Sequence, residues 1–249
     1  MNPGDEADSM LDQLEAEVEA FQEEAVHAVM LHESWKPTAY DTALHERMGN
    51  SYSTHTFQII RMALRRELIL TLMRIWDSNR SALGLTAVRE SLRNEAYFEA
   101  LVRRRAARLN MRRDPVERVR EALADKRDEV KGIVEKYMQG GVGAPVMEHL
   151  KALRNERLAH RQLKTPTEPG AREASEEKIE ELYQDTLKAV TVLLSLVSAH
   201  YFDIATDAAN VYGHHARFFW AAARGERTEG HPNFRPAQVM DREGGGDVA

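Results

Sequence analysis

The apolar residues of this chain recur at intervals of three and four positions, and this spacing limits the fold more than any other feature. The first such series is Leu11, Leu14, Val18, Phe21, Ala25 and Ala28. Intervals of three and four place side chains on one face of an α-helix. No long segment alternates apolar and polar residues, as a half-buried β-strand would. The pattern therefore predicts an all-α fold.

Start and stop signals divide the sequence into successive helices. The first is expected at about 8–33 and to be ended by Pro37, and the last is expected to continue past Tyr201. The signals between them are the caps Ser51, Ser53 and Thr54, the break at 77–79, the short-helix cap Thr86, the start Asp114–Glu117, the stop Gly140–Gly141, Pro145 and the cap Ser175. The second helix has a wide apolar stripe, as expected of a central helix. It consists of Phe57, Ile60, Leu64, Leu68, Leu72 and Ile75, widened by Ile59, Met62, Ile69 and Trp76.

Composition limits the domain organisation and the kinds of site. The 249 residues predict one helical domain at 8–224, preceded by a disordered segment at 1–7 and followed by a flexible tail at 225–249. The absence of cysteine excludes disulfides, thiolate nucleophiles and Cys-based zinc sites. No apolar run approaches the roughly 18 residues of a transmembrane helix, and the acidic start does not resemble a secretory signal. We therefore expect a cytoplasmic protein that does not contact membranes.

Charge is distributed unevenly along a chain whose net charge is −6. Residues 5–24 contain nine acids and no Lys or Arg, whereas residues 101–120 contain eight arginines and two acids. Such asymmetry permits a local anion-binding surface on an acidic protein. Alternatively, the two segments are the solvated faces of surface helices.

The octet from Leu153 to His160 is the strongest candidate for a site, because it combines an arginine, an amide and a histidine at the end of a predicted helix. Arg154 and His160 are six residues apart, so they would lie about 120° apart around the helix axis. They do not share one helix face. Either His160 lies where the helix ends, or Arg154 approaches the His160 of a second subunit across a homodimer.

The octet resembles the R-x(4–6)-H motif of the HEPN superfamily, whose members are helical bundles that include metal-independent ribonucleases. The sequence of the octet is most similar to the AbiU branch, which is associated with bacterial abortive infection. Arg74–Arg80, followed by Ser81, Leu83 and Leu85, is similar to an earlier segment of that branch. The resemblance covers about 10–205. Many HEPN toxins carry a Tyr two residues after the His, as a site of adenylylation, but Gln162 stands there in this chain.

The resemblance implies a HEPN-like bundle with additional helices that cleaves RNA without a cofactor or metal. His160 would be the acid or base, Arg154 would stabilise the transition state, and Asn155 would support them. Arg157 would add an RNA contact, and Arg103, Arg104, Arg105 and Arg108 would contact the RNA backbone. The implied partners are an RNA substrate, a second subunit, and an antitoxin or regulatory protein.

Other interpretations stay open from the sequence. The protein is alternatively a non-catalytic HEPN-like adaptor for RNA or protein, or a helical scaffold in which Arg154 pairs with an acid and His160 ends a helix. The Glu24–His27 pair would need a second such pair to form a di-iron site, and His214–His215 lacks companion ligands. The three tryptophans are expected to pack in the core: Trp35, Trp76 and Trp220.

Overall fold

A computed structural model of the chain describes residues 3–77, 84–109, 115–154, 175–228 and 230–234, and of residues 3–7 it describes only the backbone. All regular structure in these ranges is helical, which confirms the predicted all-α class. The helices are α1 (Pro3–Tyr40), α2 (Thr42–Met48), α3 (Tyr52–Ile75), α4 (Leu85–Arg93), α5 (Glu95–Arg108), α6 (Val116–Tyr137), α7 (Ala144–Leu153), α8 (Glu176–Leu193) and α9 (Ala209–Ala221). The predicted division at 8 and 224 stays a prediction.

Helix α1 is the central element of the bundle, and it packs most extensively against α3 and α9. Its predicted apolar stripe is buried, because every residue of the series from Leu11 to Ala28 is at most 2% exposed. The stripe contributes to one core that also takes residues from α3 through α8. Burying this continuous apolar face supplies the main driving force for folding.

The prediction that Pro37 ends the first helix is wrong, because α1 continues to Tyr40. Proline removes a backbone donor and crowds the preceding turn. Side chains accommodate this distortion by donating to nearby carbonyls: Trp220 Nε1 to Ser34 O at 2.9 Å, and Thr38 Oγ1 to Trp35 O at 2.6 Å. Trp35 and Thr38 are also buried, so core packing holds the last turn in place.

The ends of the other helices largely follow the predicted signals. Ser51 and Ser175 are N-caps, α7 begins beside Pro145, and α6 ends before the glycine pair. Two details differ: Gly84, not Thr86, caps α4, and Pro115 is the cap of α6. The short helix α2 was not predicted, although Asp41 caps it by accepting from Leu44 N at 3.0 Å.

Helix α8 does not continue past Tyr201 as predicted. It ends at Leu193, and a π-helical turn at Leu194–Ser198 leads to Ala199, which has a left-handed φ of 60°. A second π-helical turn begins at Ile204, where the Asp203 carboxylate accepts from Thr206 N at 3.1 Å. Asp203 is therefore a helix-start signal inside a segment whose apolar periodicity suggested one helix.

The apolar residues of α3 are only partly buried. Its C-terminal half enters the main core, whereas Ile59, Ile60 and Met62 are exposed. The prediction of a central helix is therefore correct only for the C-terminal half of α3. The N-terminal half instead faces a smaller cluster composed of Leu44, Met48, Phe57, Ala216 and Trp220. All three tryptophans are at most 5% exposed, which confirms their packing role.

A buried ion-pair cluster joins α1 to α8. The His32 ring nitrogens lie 3.0 Å from a carboxylate oxygen of Glu33 and 2.9 Å from one of Glu180, and the ring stacks on Tyr183 at 4.2 Å. Burial by itself lowers the pKa of His32, but the hydrogen bonds with Glu180 and Glu33 raise it above 6.5 overall. The His32 ring therefore links the two helices, and its carboxylate neighbours favour its charged form.

The stability that His32 contributes should depend on pH. The charged ring is bound more strongly in the folded state, so its contribution is complete below the unfolded pKa of about 6.5 and is lost as pH rises through the higher folded pKa. We expect His32→Gln to lower the free energy of unfolding by about 2 kcal/mol at mildly acidic pH. Urea denaturation across this range should show the difference shrinking as pH rises. The exposed His55→Gln is the control, and an equal, pH-independent loss in both variants would contradict the assignment.

Candidate functional site

Arg154 lies at the end of α7, where it forms a salt bridge with Asp77. Its Nη1 is 3.6 Å from Asp77 Oδ2, and each side chain is 31% exposed. Arg154 is the C-cap residue of α7 and retains helical backbone angles. The guanidinium is therefore partly accessible to solvent.

Three neighbours hold Asp77 in place at the end of α3. The preceding Trp76 is buried, and its indole N–H donates to Thr186 Oγ1 on α8 at 2.8 Å. Gly84 packs so closely that an added Cβ would lie 2.0 Å from the Asp77 carbonyl oxygen. The Thr86 hydroxyl donates to the same oxygen at 3.5 Å. The backbone at Asp77 is thus clamped between α8 and the start of α4.

The turn between α6 and α7 sets the direction of the helix that carries Arg154. Gly143 N donates to Lys136 O at 2.8 Å, and an added Cβ at Gly143 would meet the Tyr137 ring. The Tyr137 hydroxyl donates to Asp185 on α8 at 2.7 Å, and its ring meets Trp76 edge-on at 5.1 Å. The Trp76–Tyr137 pair therefore links the end of α3, which precedes Asp77, to the turn from which α7 begins.

Of the predicted catalytic residues, only Arg154 lies within the described part of the chain. Asn155, Arg157 and His160 lie outside it, so their placement stays a prediction. The structure adds Asp77, which sequence reasoning missed as a site residue. The sequence contained a clue to Asp77, because this residue lies in the earlier segment that resembles the AbiU branch. The two segments that carry the resemblance meet at this salt bridge.

The arginine-rich helix α5 packs against the acidic start of the chain. Arg104 pairs with Asp12 and lies 3.3 Å from Glu15, and Arg108 lies 2.8 Å from the same Glu15. Arg105 donates to a backbone carbonyl at 3.3 Å, and burial lowers the pKa of its guanidinium. Arg103 is exposed. Two of the four predicted RNA-contacting arginines therefore neutralise acids on α1.

Glu24 of the Glu24–His27 pair on α1 binds an arginine of α3. Glu24 accepts from Arg74 Nε at 3.1 Å, and this bond fixes α1 to the end of α3 just before Asp77. Within the described residues, no group of three or more His, Asp or Glu side chains could hold a metal ion.

A comparison with protein-family models matches residues 11–219 to AbiU2, a HEPN family. The chain belongs to the AbiU2 family of HEPN proteins. The match spans the nine α-helices of the described residues, except for the start of α1 and the last two residues of α9. Searches of curated proteins and of solved structures give no match. Membership confirms the resemblance and associates this AbiU2 protein with abortive infection, a defence of bacteria against phage.

No helix in the described ranges has the length and apolar character needed to span a membrane.

The close contact between Gly84 and Asp77 can be tested by adding one methyl group. We expect Gly84→Ala to lower the free energy of unfolding by about 2 kcal/mol, because the new Cβ must displace backbone. Gly132→Ala is the matched control. Gly132 lies in the middle of α6 on the exposed side of the helix, and no atom lies within 4 Å of an added Cβ. That change should stabilise the protein by about 0.5–1 kcal/mol through helix propensity. Chemical denaturation measures both, and two effects of the same sign would refute the clamp at Asp77.

Proposed function

We propose that this AbiU2 protein is a metal-independent endoribonuclease that acts in abortive infection as a homodimer. The observation that best supports the proposal is the match of residues 11–219 to the AbiU2 family of HEPN proteins. The Arg154–Asp77 salt bridge, which a scaffold would also show, joins the two sequence segments that resemble the family. HEPN proteins include metal-independent ribonucleases, so family membership supports the same class of reaction. An RNA substrate is the corresponding partner.

The chemistry requires an acid or base and a cation. A base removes the proton of the ribose 2′-OH, the oxygen attacks the adjacent phosphorus, and the 5′-oxygen leaves as it takes a proton. The products are a 2′,3′-cyclic phosphate, or a 3′-phosphate after hydrolysis, and a 5′-OH. His160 would transfer the proton, since its ordinary pKa is near 6.5. Arg154 would bind the non-bridging phosphate oxygens that gain charge, and Asn155 would orient these groups.

Asp77 is a positioning residue in this mechanism. A guanidinium carries five N–H donors in a planar fork and accepts nothing, so it can bind a carboxylate on one edge and a phosphate on another. The carboxylate of Asp77 would fix the plane of Arg154 before RNA binds. The supporting contacts at Trp76 and Gly84 fix Asp77 in turn.

The homodimer is proposed from the spacing of Arg154 and His160 in the sequence. A six-residue separation places the two side chains about 120° apart if the helix continues, which favours a site composed from two subunits. A further partner, an antitoxin or regulatory protein, would control such an activity in the cell.

The test is RNA cleavage in EDTA, with the ends of the products determined. We expect wild-type protein to leave cyclic phosphate ends, and Arg154→Ala and His160→Ala to lower kcat by about a hundredfold or more. Asp77→Asn should lower kcat by about tenfold with little change in KM, because it disturbs orientation more than binding. Lys151→Ala, one turn before Arg154 on α7, is the matched control and should cleave like the wild type.

Each alternative has a distinct result. Intact RNA that the wild type retains on a gel would indicate a non-catalytic adaptor, and no retention would indicate a scaffold. Cleavage that survives both Arg154→Ala and His160→Ala, in folded variants, would refute the proposed site. A strictly monomeric active enzyme in sedimentation would refute the composite dimer.

The arginines of α5 should separate into two classes. Arg103 is exposed, so Arg103→Ala should weaken RNA binding and reduce the salt slope by about 0.7 for a single-stranded substrate. Arg104→Ala should instead lower thermal stability, because it leaves Asp12 and Glu15 without that partner. Binding measured across salt concentrations, beside melting curves, compares them. Unchanged RNA affinity in Arg103→Ala would remove α5 from the RNA interface.

A further inference from the structure

A cleft of about 560 Å³ lies between the end of α1, α2 and the end of α9. Four cations line it: Lys36 and Arg47, from α1 and α2, and Arg217 and Arg224, from α9 and the residues after it. We call these four residues and the space between them the basic cleft. Tyr40 and Trp220 line the same space. Ligand pockets in proteins commonly have volumes of 300–1,000 Å³, so the cleft can hold a nucleotide-sized molecule.

The cations of the basic cleft differ from most others in this acidic protein. Elsewhere in the described structure, arginines and lysines repeatedly pair with carboxylates, as do Arg65, Arg74, Arg89, Arg120, Arg127, Lys136 and Lys188. In the cleft, only Arg224 has a carboxylate within salt-bridge distance among the described residues, namely Glu226 at 3.8 Å. Clustered cations repel one another, and the repulsion is relieved when an anion binds.

The contacts of the other three cations leave N–H groups for a ligand. Arg47 Nη2 donates to the Trp220 carbonyl at 3.3 Å, and its Nε is buried without a hydrogen-bond partner. Arg217 Nη2 lies 3.0 Å from Nδ1 of the His214 ring. Lys36 attracts the Glu180 carboxylate electrostatically. Asp41 also lines the cleft, but its Oδ1 accepts the capping bond from Leu44 N. Four cations and one acid line the cleft, and further carboxylates lie around it: Glu226 beside Arg224, and Glu176, Glu177 and Glu180 around Tyr40.

The floor of the basic cleft is rigid. Trp220 belongs to the small apolar cluster of α2, α3 and α9, meets Phe57 edge-on at 5.7 Å and donates its indole N–H to Ser34 O. Tyr40 is 62% exposed at the rim and packs edge-on against Trp35 at 5.5 Å. An exposed aromatic ring supported from behind can stack on a nucleobase.

We propose that the basic cleft binds a nucleotide, with its phosphates on Lys36, Arg47, Arg217 and Arg224 and its base against Tyr40. Phosphate is the anion that arginine forks bind best, and the adjacent aromatic surface selects a phosphate that carries a planar base. The nucleotide is either free or part of an RNA strand, since both present the same groups.

The basic cleft is distinct from the Arg154 site. Glu24 marks the position of the Arg154 site on α1 through its bond to Arg74, and Lys36 lies twelve residues further along the same helix. At 1.5 Å per residue that separation is about 18 Å. The inference therefore stands whether or not Arg154 and His160 cleave RNA.

Titration calorimetry with AMP, ATP and tripolyphosphate, and fluorescence anisotropy with a labelled single-stranded RNA dodecamer, test the proposal. The key variant is Lys36→Gln/Arg217→Gln, in which both changed side chains are exposed. We expect it to bind at least tenfold more weakly, whereas Arg93→Gln/Lys188→Gln, with the same change of net charge on exposed residues elsewhere, should bind like the wild type. Melting curves verify that all variants are folded.

The probes distinguish the source of the nucleotide. Binding of ATP or AMP identifies a free nucleotide, whereas binding of RNA alone, with a salt slope about 1.4 smaller in the cleft variant, identifies a strand. If the small anions bind, ATP should bind more tightly than tripolyphosphate because only ATP carries a base. Measurable and equal affinity for these two, equal binding by cleft and control variants, or no binding of any probe by the wild type would overturn the proposal. RNA cleavage is measured separately, so failure here leaves the Arg154 mechanism to its own test.

Discussion

Burial of one face of α1 is the interaction on which the rest of this structure depends. The helix is 38 residues long, and its apolar stripe contacts elements drawn from most of the chain. Polar bonds then fix the neighbours along it: Glu24 binds the end of α3, and His32 binds α8. The Arg154 site and the basic cleft lie beside different segments of α1, so the rise per residue of this helix sets the distance between them.

The stability of the Arg154 site comes from groups that do no chemistry. Trp76 and Tyr137 pack edge-on, each hydrogen-bonds a residue of α8, and the backbone of Asp77 touches Gly84. An arginine on a long flexible side chain loses much rotamer entropy when it binds a phosphate. A carboxylate that already restricts the guanidinium reduces that loss, which is the advantage of preorganisation.

The sequence predicted the helical class, the family and most helix starts, because apolar spacing and capping residues are local signals. It failed where tertiary contacts override local ones. Pro37 lies inside a helix because buried neighbours and side-chain donors support that turn, and α8 ends early because Ala199 and Asp203 interrupt a continuous apolar pattern. Arg154 was predicted from its motif. Asp77 was missed because its partner is distant in sequence, and no rule of helix periodicity links the two.

Charged residues also show that closeness in the sequence does not predict closeness in the folded structure. The arginines of α5 are dense in sequence, yet Arg104 and Arg108 lie against acids of α1 and are largely neutralised. The cations of the basic cleft are spread over 189 positions, from 36 to 224, and no window of the sequence reveals them. Exposed ion pairs contribute little stability, so their main effect is to cancel the local field. Among the described residues, folding brings Lys36, Arg47 and Arg217, three cations without a salt bridge, together where α1, α2 and α9 converge.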